Sequence, residues 1–239
     1  MLVAAAVCPH PPLIVPELAG SAASELDPLR TACTEALRSL VRSRPDVIVV
    51  LGGAERSASY PADAAGTLRP WGVDVRVGRG DPVLPLSLTV GRWLLDHAEL
   101  PGTVPAVRSE AVAFDAPPDE CAALGAKISR VGDRVAVLAM GDGSARLTEK
   151  SPGYLRPAAA PYDEMLADAL GNARVDRLAA LDPVEAAGLW VAGRAAFQTL
   201  AAASIAEGGP GGLRGELLYK DAPYGVGYLV ARWSAADAA

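Results

Sequence analysis

A chain of 239 residues, 51% apolar and 5% aromatic, can bury one large core and gives no compositional reason for a second domain. Its formal charge of −6 provides no basic stripe for phosphates, which argues against nucleic acid as a partner. No apolar run approaches the roughly 20 residues of a membrane-crossing helix, which argues against a bilayer.

The first apolar run, Leu2 to Val7, reads as a buried strand, and Pro9, Pro11 and Pro12 then force an extended loop that carries His10. From Glu25 to Val41 the residues Leu26, Leu29, Cys33, Leu37 and Leu40 recur at intervals of three and four, the stripe of an amphipathic helix with Ser24 as its N-cap. Val47 to Leu51 is a second apolar strand ending at Gly52-Gly53. Strand, helix and strand predict a right-handed β-α-β crossover that places the loops after Val7 and Leu51 at one sheet edge, where open α/β sheets bind ligands.

Further on, Val73 to Val77 reads as a strand, Leu84 to His97 and Pro118 to Ser129 as helices, and Arg134 to Met140 as a buried strand. Tyr162 to Leu170 and Pro183 to Ile205 follow as helices, the second opening on Asp182 as N-cap, Pro183 at N1 and Glu185 at N3, with Gly208 to Gly212 closing it. Glu216 to Tyr219 and Val226 to Trp233 are the last strands, around the turn Asp221 to Gly225. The expected organisation is a single α/β domain over residues 1-234 with a short flexible tail at 235-239.

Three groups of residues have chemistry to offer. His10 sits on a proline-stiffened loop that lowers the entropy cost of holding an imidazole as ligand or base, although from residue type alone a loop-packing or hydrogen-bonding role is favoured. Cys8 reads as buried strand. The block Gly141-Asp142-Gly143-Ser144-Ala145-Arg146 follows a strand end and brings an acceptor, a hydroxyl and a cation into one turn; a plain solvent-facing turn is the alternative. The last turn adds Asp221 with Glu216 nearby, which could complete a metal site, although surface turns routinely carry such residues with no role and that is the favoured reading. His97, late in a helix, is read as a surface residue. The cysteines Cys8, Cys33 and Cys121 lack metal-finger spacing and the N-terminus has no signal pattern, so a reduced, cytoplasmic protein is expected.

Cys8-Pro9-His10-Pro11-Pro12, the loop after Leu51, Gly141 to Leu147 and Ala222-Pro223-Tyr224-Gly225-Val226 together resemble the class III extradiol ring-cleavage dioxygenases, in their LigB-like catalytic subunit, and the related Memo-like proteins. The resemblance implies a three-layer αβα sandwich on a mostly parallel or mixed sheet. It also implies non-haem Fe(II) held by two histidines and a carboxylate, and ring cleavage of a catechol with O₂. By it His10 looks like the first iron ligand, and Asp142, Ser144, Arg146 and Tyr224 line the catalytic and substrate-binding crevice.

The chain departs from the family at two places. Ala54 stands where the second iron-ligating histidine belongs, and Ala145 stands where the acid/base histidine belongs. Glu55 is then a substitute ligand, with Glu216, Tyr219 or Asp221 as the third. The expectation is a dioxygenase fold with lost or altered iron chemistry, or alternatively a metal-free small-molecule-binding or regulatory protein. A hydrolase using Ser144 beside His10 ranks last, for want of a nucleophile elbow. A homodimer is expected by analogy.

Overall fold

Strand β1 (Leu2–Cys8) carries Ala4, Ala5 and Ala6 with no exposure at all, because side chains this small let layers close on both faces of the sheet. The computed structural model describes residues 1–205 and 212–235. Much of the predicted glycine-rich closure and nearly all of the predicted tail lie outside the described residues.

Helix α1 (Pro16–Ala19) and a 3₁₀ stretch through Leu26 lead into α2 (Asp27–Arg42). This helix starts later than the apolar stripe suggested. Pro28 fits the first turn, and no side chain caps the end, so Ser24 is not the N-cap. Strand β2 (Val47–Ala54) follows, then β3 (Ala58–Tyr60), β4 (Gly66–Thr67) and β5 (Arg76–Val77). The predicted strand at 73–77 is reduced to the two residues of β5, paired only with β4. Next come α3 (Leu86–His97), β6 (Ala106–Ala113), α4 (Pro118–Ile128) and β7 (Val135–Met140). Helices α5 (Ala159–Gly171), α6 (Val175–Ala179), α7 (Pro183–Gly188) and α8 (Arg194–Ile205) precede β8 (Leu213–Asp221) and β9 (Tyr228–Ala235).

The main sheet has the order β3-β6-β2-β7-β1-β9-β8. Strands β6, β2, β7 and β1 run parallel, while β3, β9 and β8 join by antiparallel pairing. β1 and β2 are therefore parallel as expected, yet not neighbours, because β7 lies between them and pairs with both. Alternate residues divide the core. Ala4, Ala6, Ile48, Val50 and Leu138 face Leu29, Leu37 and Leu40 of α2 and Leu88 of α3. Ala5, Val7, Val49, Leu51 and Val137 face Leu166, Leu170, Phe197 and Leu200 on α5 and α8. This is a three-layer αβα sandwich. Each buried leucine or valine in it contributes about 1.5–3 kcal/mol.

One predicted helix is broken. Residues 183–205 form α7 and α8, separated by a kinked segment in which Trp190 takes φ 54. The Asp182 cap is as expected: its Oδ1 accepts the amides of Val184 at 2.7 Å and Glu185 at 2.9 Å. None of the helices among the described residues is long and apolar enough to cross a membrane.

Candidate functional site

The parallel order places the carboxyl ends of β1, β7 and β2 side by side, at the point where the chain reverses its direction of winding across the sheet. After β1 the proline loop holds His10 with only 6% of its surface exposed. After β7 the backbone continues the ladder by one bond, Gly141 N–H to Cys8 O at 3.0 Å. That bond sets the next residue, Asp142, against His10.

Asp142 Oδ1 accepts the backbone N–H of His10 at 2.8 Å and lies 3.5 Å from the ring Nδ1. Nδ1 is enclosed with no hydrogen-bond partner, so the carboxylate is what that nitrogen faces. Nε2 makes no hydrogen bond among the described residues and is not among the enclosed unpaired atoms. A carboxylate facing one ring nitrogen orients the imidazole, the arrangement of a positioned acid or base. Asp142 is itself held by its carbonyl, which accepts Gly193 N–H at 2.9 Å from the break between α7 and α8. Tyr228 is buried beside it, and burial, reinforced by Asp142, raises its phenol above the usual range.

The other expected site residues have different surroundings. Ser144 is fully buried; its Oγ donates to Leu189 O at 2.7 Å and accepts Arg146 N–H at 3.2 Å, and no hydrogen bond joins it to His10. A hydroxyl bound in this way anchors a loop and is not placed as a nucleophile. Arg146 donates from Nη1 to Gly153 O at 2.6 Å and stacks over Trp190 with Cζ 4.9 Å from the ring centre. Tyr224 donates to Glu25 Oε2 at 3.1 Å, and burial and that carboxylate raise its phenol.

Ala54 is buried at the end of β2, and Glu55 next to it is solvent-exposed. Glu216 lies opposite Arg232 in mid-strand and takes its guanidinium at 2.6 Å; Arg232 in turn pairs with Ala6, so Glu216 is not at the His10 end of the sheet. Asp221 does end β8 at the correct edge, but it is exposed and its Oδ1 is taken up by Ala222 N–H at 2.7 Å. Tyr219 meets the other oxygen of Asp221 at 3.5 Å. Among the described residues no group of three or more His, Cys, Asp or Glu side chains is placed to hold a metal ion. The donor set expected for Fe(II), His10 with Glu55 and Glu216 or Asp221, is not gathered into such a group. Cys8, Cys33 and Cys121 are all buried and unpaired.

Asp163 is the residue that sequence reasoning missed. It lies on the apolar face of α5 with 4% exposure, where its Oδ1 accepts Ser144 N–H at 2.9 Å and its Oδ2 is enclosed without a donor. Burial pushes its carboxyl up to about 6, against the pull of the Ser144 amide and Lys220. A signal existed: Asp163 stands three residues before Leu166, inside the helix's own apolar stripe. Beside it a cavity of about 260 Å³ is lined by Leu147, Lys220 and Gly227 among others.

No family model and no curated protein matches this chain. Among solved structures, the chain is similar to an uncharacterized protein, JW3007, from Escherichia coli K12. The TM-score is 0.55 at 14% identity, over 97% of this chain and 99% of that one. At that identity the likeness concerns the fold alone.

Proposed function

We propose that this chain is an extradiol-dioxygenase-like protein whose crevice binds a small molecule through the His10–Asp142 pair and does not use iron. The observation that carries this reading is the contact of one carboxylate oxygen with both the amide and the ring side of His10. The imidazole faces a carboxylate of its own sheet edge, and its Nε2 is left unbonded among the described residues. Alanine at position 54 removes the second histidine of the family pattern, and the exposure of Glu55 and the engagement of Glu216 by Arg232 support the metal-free reading. What these residues can supply is proton exchange with a hydroxyl or similar group of the ligand, not a coordination sphere.

Metal analysis after anaerobic reconstitution with Fe(II), beside a His10→Ala control, tests the reading. Iron no higher than in the control supports it. About one iron per chain, lost on His10→Ala, overturns it and restores the ring-cleavage reading. Catechol serves as the ligand probe: its addition is expected to shift the His10 imidazole signals in NMR spectra and leave those of His97, the other histidine, in place.

A further inference from the structure

Three segments meet at Arg146. Ala145 N–H donates to Leu189 O at 3.2 Å, Gly153 N–H to Ala145 O at 3.0 Å, and Arg156 N–H to Arg146 O at 3.0 Å, so the loop after β7, the turn at 151–156 and the break between α7 and α8 are tied backbone to backbone. On this rigid base stand two large aromatic residues in left-handed backbone, Tyr154 at φ 58 and Trp190 at φ 54. Their side chains are largely outside the core, Tyr154 being 75% and Trp190 50% exposed. Glycine takes this conformation without strain, and Gly153 and Gly188 are close by in the chain. Turn formation alone therefore explains neither residue. Strained, exposed aromatics held by an over-determined backbone are a feature of ligand clamps.

Arg146 itself is incompletely used. One guanidinium nitrogen, Nη1, is committed to Gly153 O, the Trp190 ring lies against the group, Nε is enclosed with no acceptor, and Nη2 has no partner among the described residues. No carboxylate among the described residues lies within ion-pair range of Arg146, whereas Arg232 meets both Glu216 and Glu35. Nη2, neither enclosed nor bonded among the described residues, is the nitrogen that a carboxylate can reach.

We infer that Arg146, Trp190 and Tyr154 form a binding ledge for a carboxylate carried on a planar apolar body, as in an arylcarboxylic acid. The carboxylate takes Nη2 and the ring lies against the exposed aromatics. This assignment does not rest on the role given to His10.

Benzoate is the probe, followed by tryptophan emission, with benzamide as the neutral isostere. The expected result is a saturable change with benzoate, weakened at least about tenfold for benzamide and for Arg146→Gln, with Arg146→Lys between because it keeps the charge and loses the planar guanidinium. Trp190→Phe should remove the optical signal, which assigns it among the four tryptophans. Tyr154→Gly should weaken benzoate while leaving the melting temperature unchanged or higher, since glycine relieves the backbone; that pattern separates a binding role from a structural one. His10→Ala should leave benzoate binding intact. Equal affinity for benzoate and benzamide, an unaffected Arg146→Gln, no saturable change, or loss of binding on His10→Ala each overturns the ledge.

Discussion

The carboxylate of Asp163 accepts the amide of Ser144 at 2.9 Å through one oxygen and leaves the other enclosed without a donor. Half of the carboxyl is used to hold the loop after β7, and half is desolvated at a cost.

That cost has a sign and a pH window. The folded-state value, about 6, lies above the ordinary 3.8, so the fold favours the protonated acid. The associated stability is fully present below about pH 4 and is lost as pH rises through about 6, up to about 3 kcal/mol. Asp163→Asn keeps an acceptor for Ser144 and removes the ionisation. Urea midpoints measured from pH 4 to 7 should fall with pH in the parent and lack that step in the variant, which is then the more stable protein at pH 7; parallel curves would refute the assignment.

Gly227 packs its Cα directly on that enclosed oxygen, and a Cβ at this position would overlap Asp163 Oδ2. Gly227→Ala is expected to cost about 2–4 kcal/mol, or to prevent folding, as overpacking beside a buried charge does. Gly188, at the end of α7, has nothing within 4 Å of a built Cβ and no left-handed backbone. Gly188→Ala should be neutral or stabilising by up to about 1 kcal/mol. Thermal unfolding of the pair checks packing at one site against open space at the other.

Asp142→Ala removes the acceptor of the buried His10 amide, and a loss of about 1–3 kcal/mol follows from leaving that N–H unpaired. Asp142→Asn retains an acceptor but removes the charge that faces Nδ1. Nitrogen NMR of the two imidazoles should then show a changed tautomer balance at His10 and an unchanged His97. If the His10 spectrum is the same in Asp142→Asn, the carboxylate does not orient the ring.

Ser144→Ala distinguishes an anchor from a catalyst. Loss of the bonds to Leu189 O and Arg146 N–H should lower stability by about 1–2 kcal/mol. Catechol-induced shifts at His10 should persist. Their disappearance in a variant that remains folded would place the hydroxyl in the ligand site after all.

The parts of the fold that were readable in the sequence are those whose signal is local. β1, β2 and β7 are continuous apolar runs, and α2 carries its stripe at intervals of three and four. β6 escaped because Arg108 and Glu110 interrupt it and its first half is largely exposed. The break after α7 escaped because nothing in the residue type of Trp190 announces a positive φ; only Gly193, pressed against Phe197 and the carbonyl of Asp142, hinted at it. At the site, His10 and Asp142 were each visible as loop residues at strand ends. Their contact was not, because it depends on β7 lying next to β1, a pairing between segments far apart in the chain.

The same insertion of β7 has a consequence for synthesis. Both sheet neighbours of β1, β7 and β9, lie far downstream of it in the chain, so β1 is made well before either strand that hydrogen-bonds it. A nascent chain that stops short of Val135 leaves β1 without a partner on either side and β2 open on the side that β7 will fill. Such bare, apolar strand edges seek other chains. The arrangement that brings His10 to Asp142 also makes this protein depend on being finished before it can be safely folded.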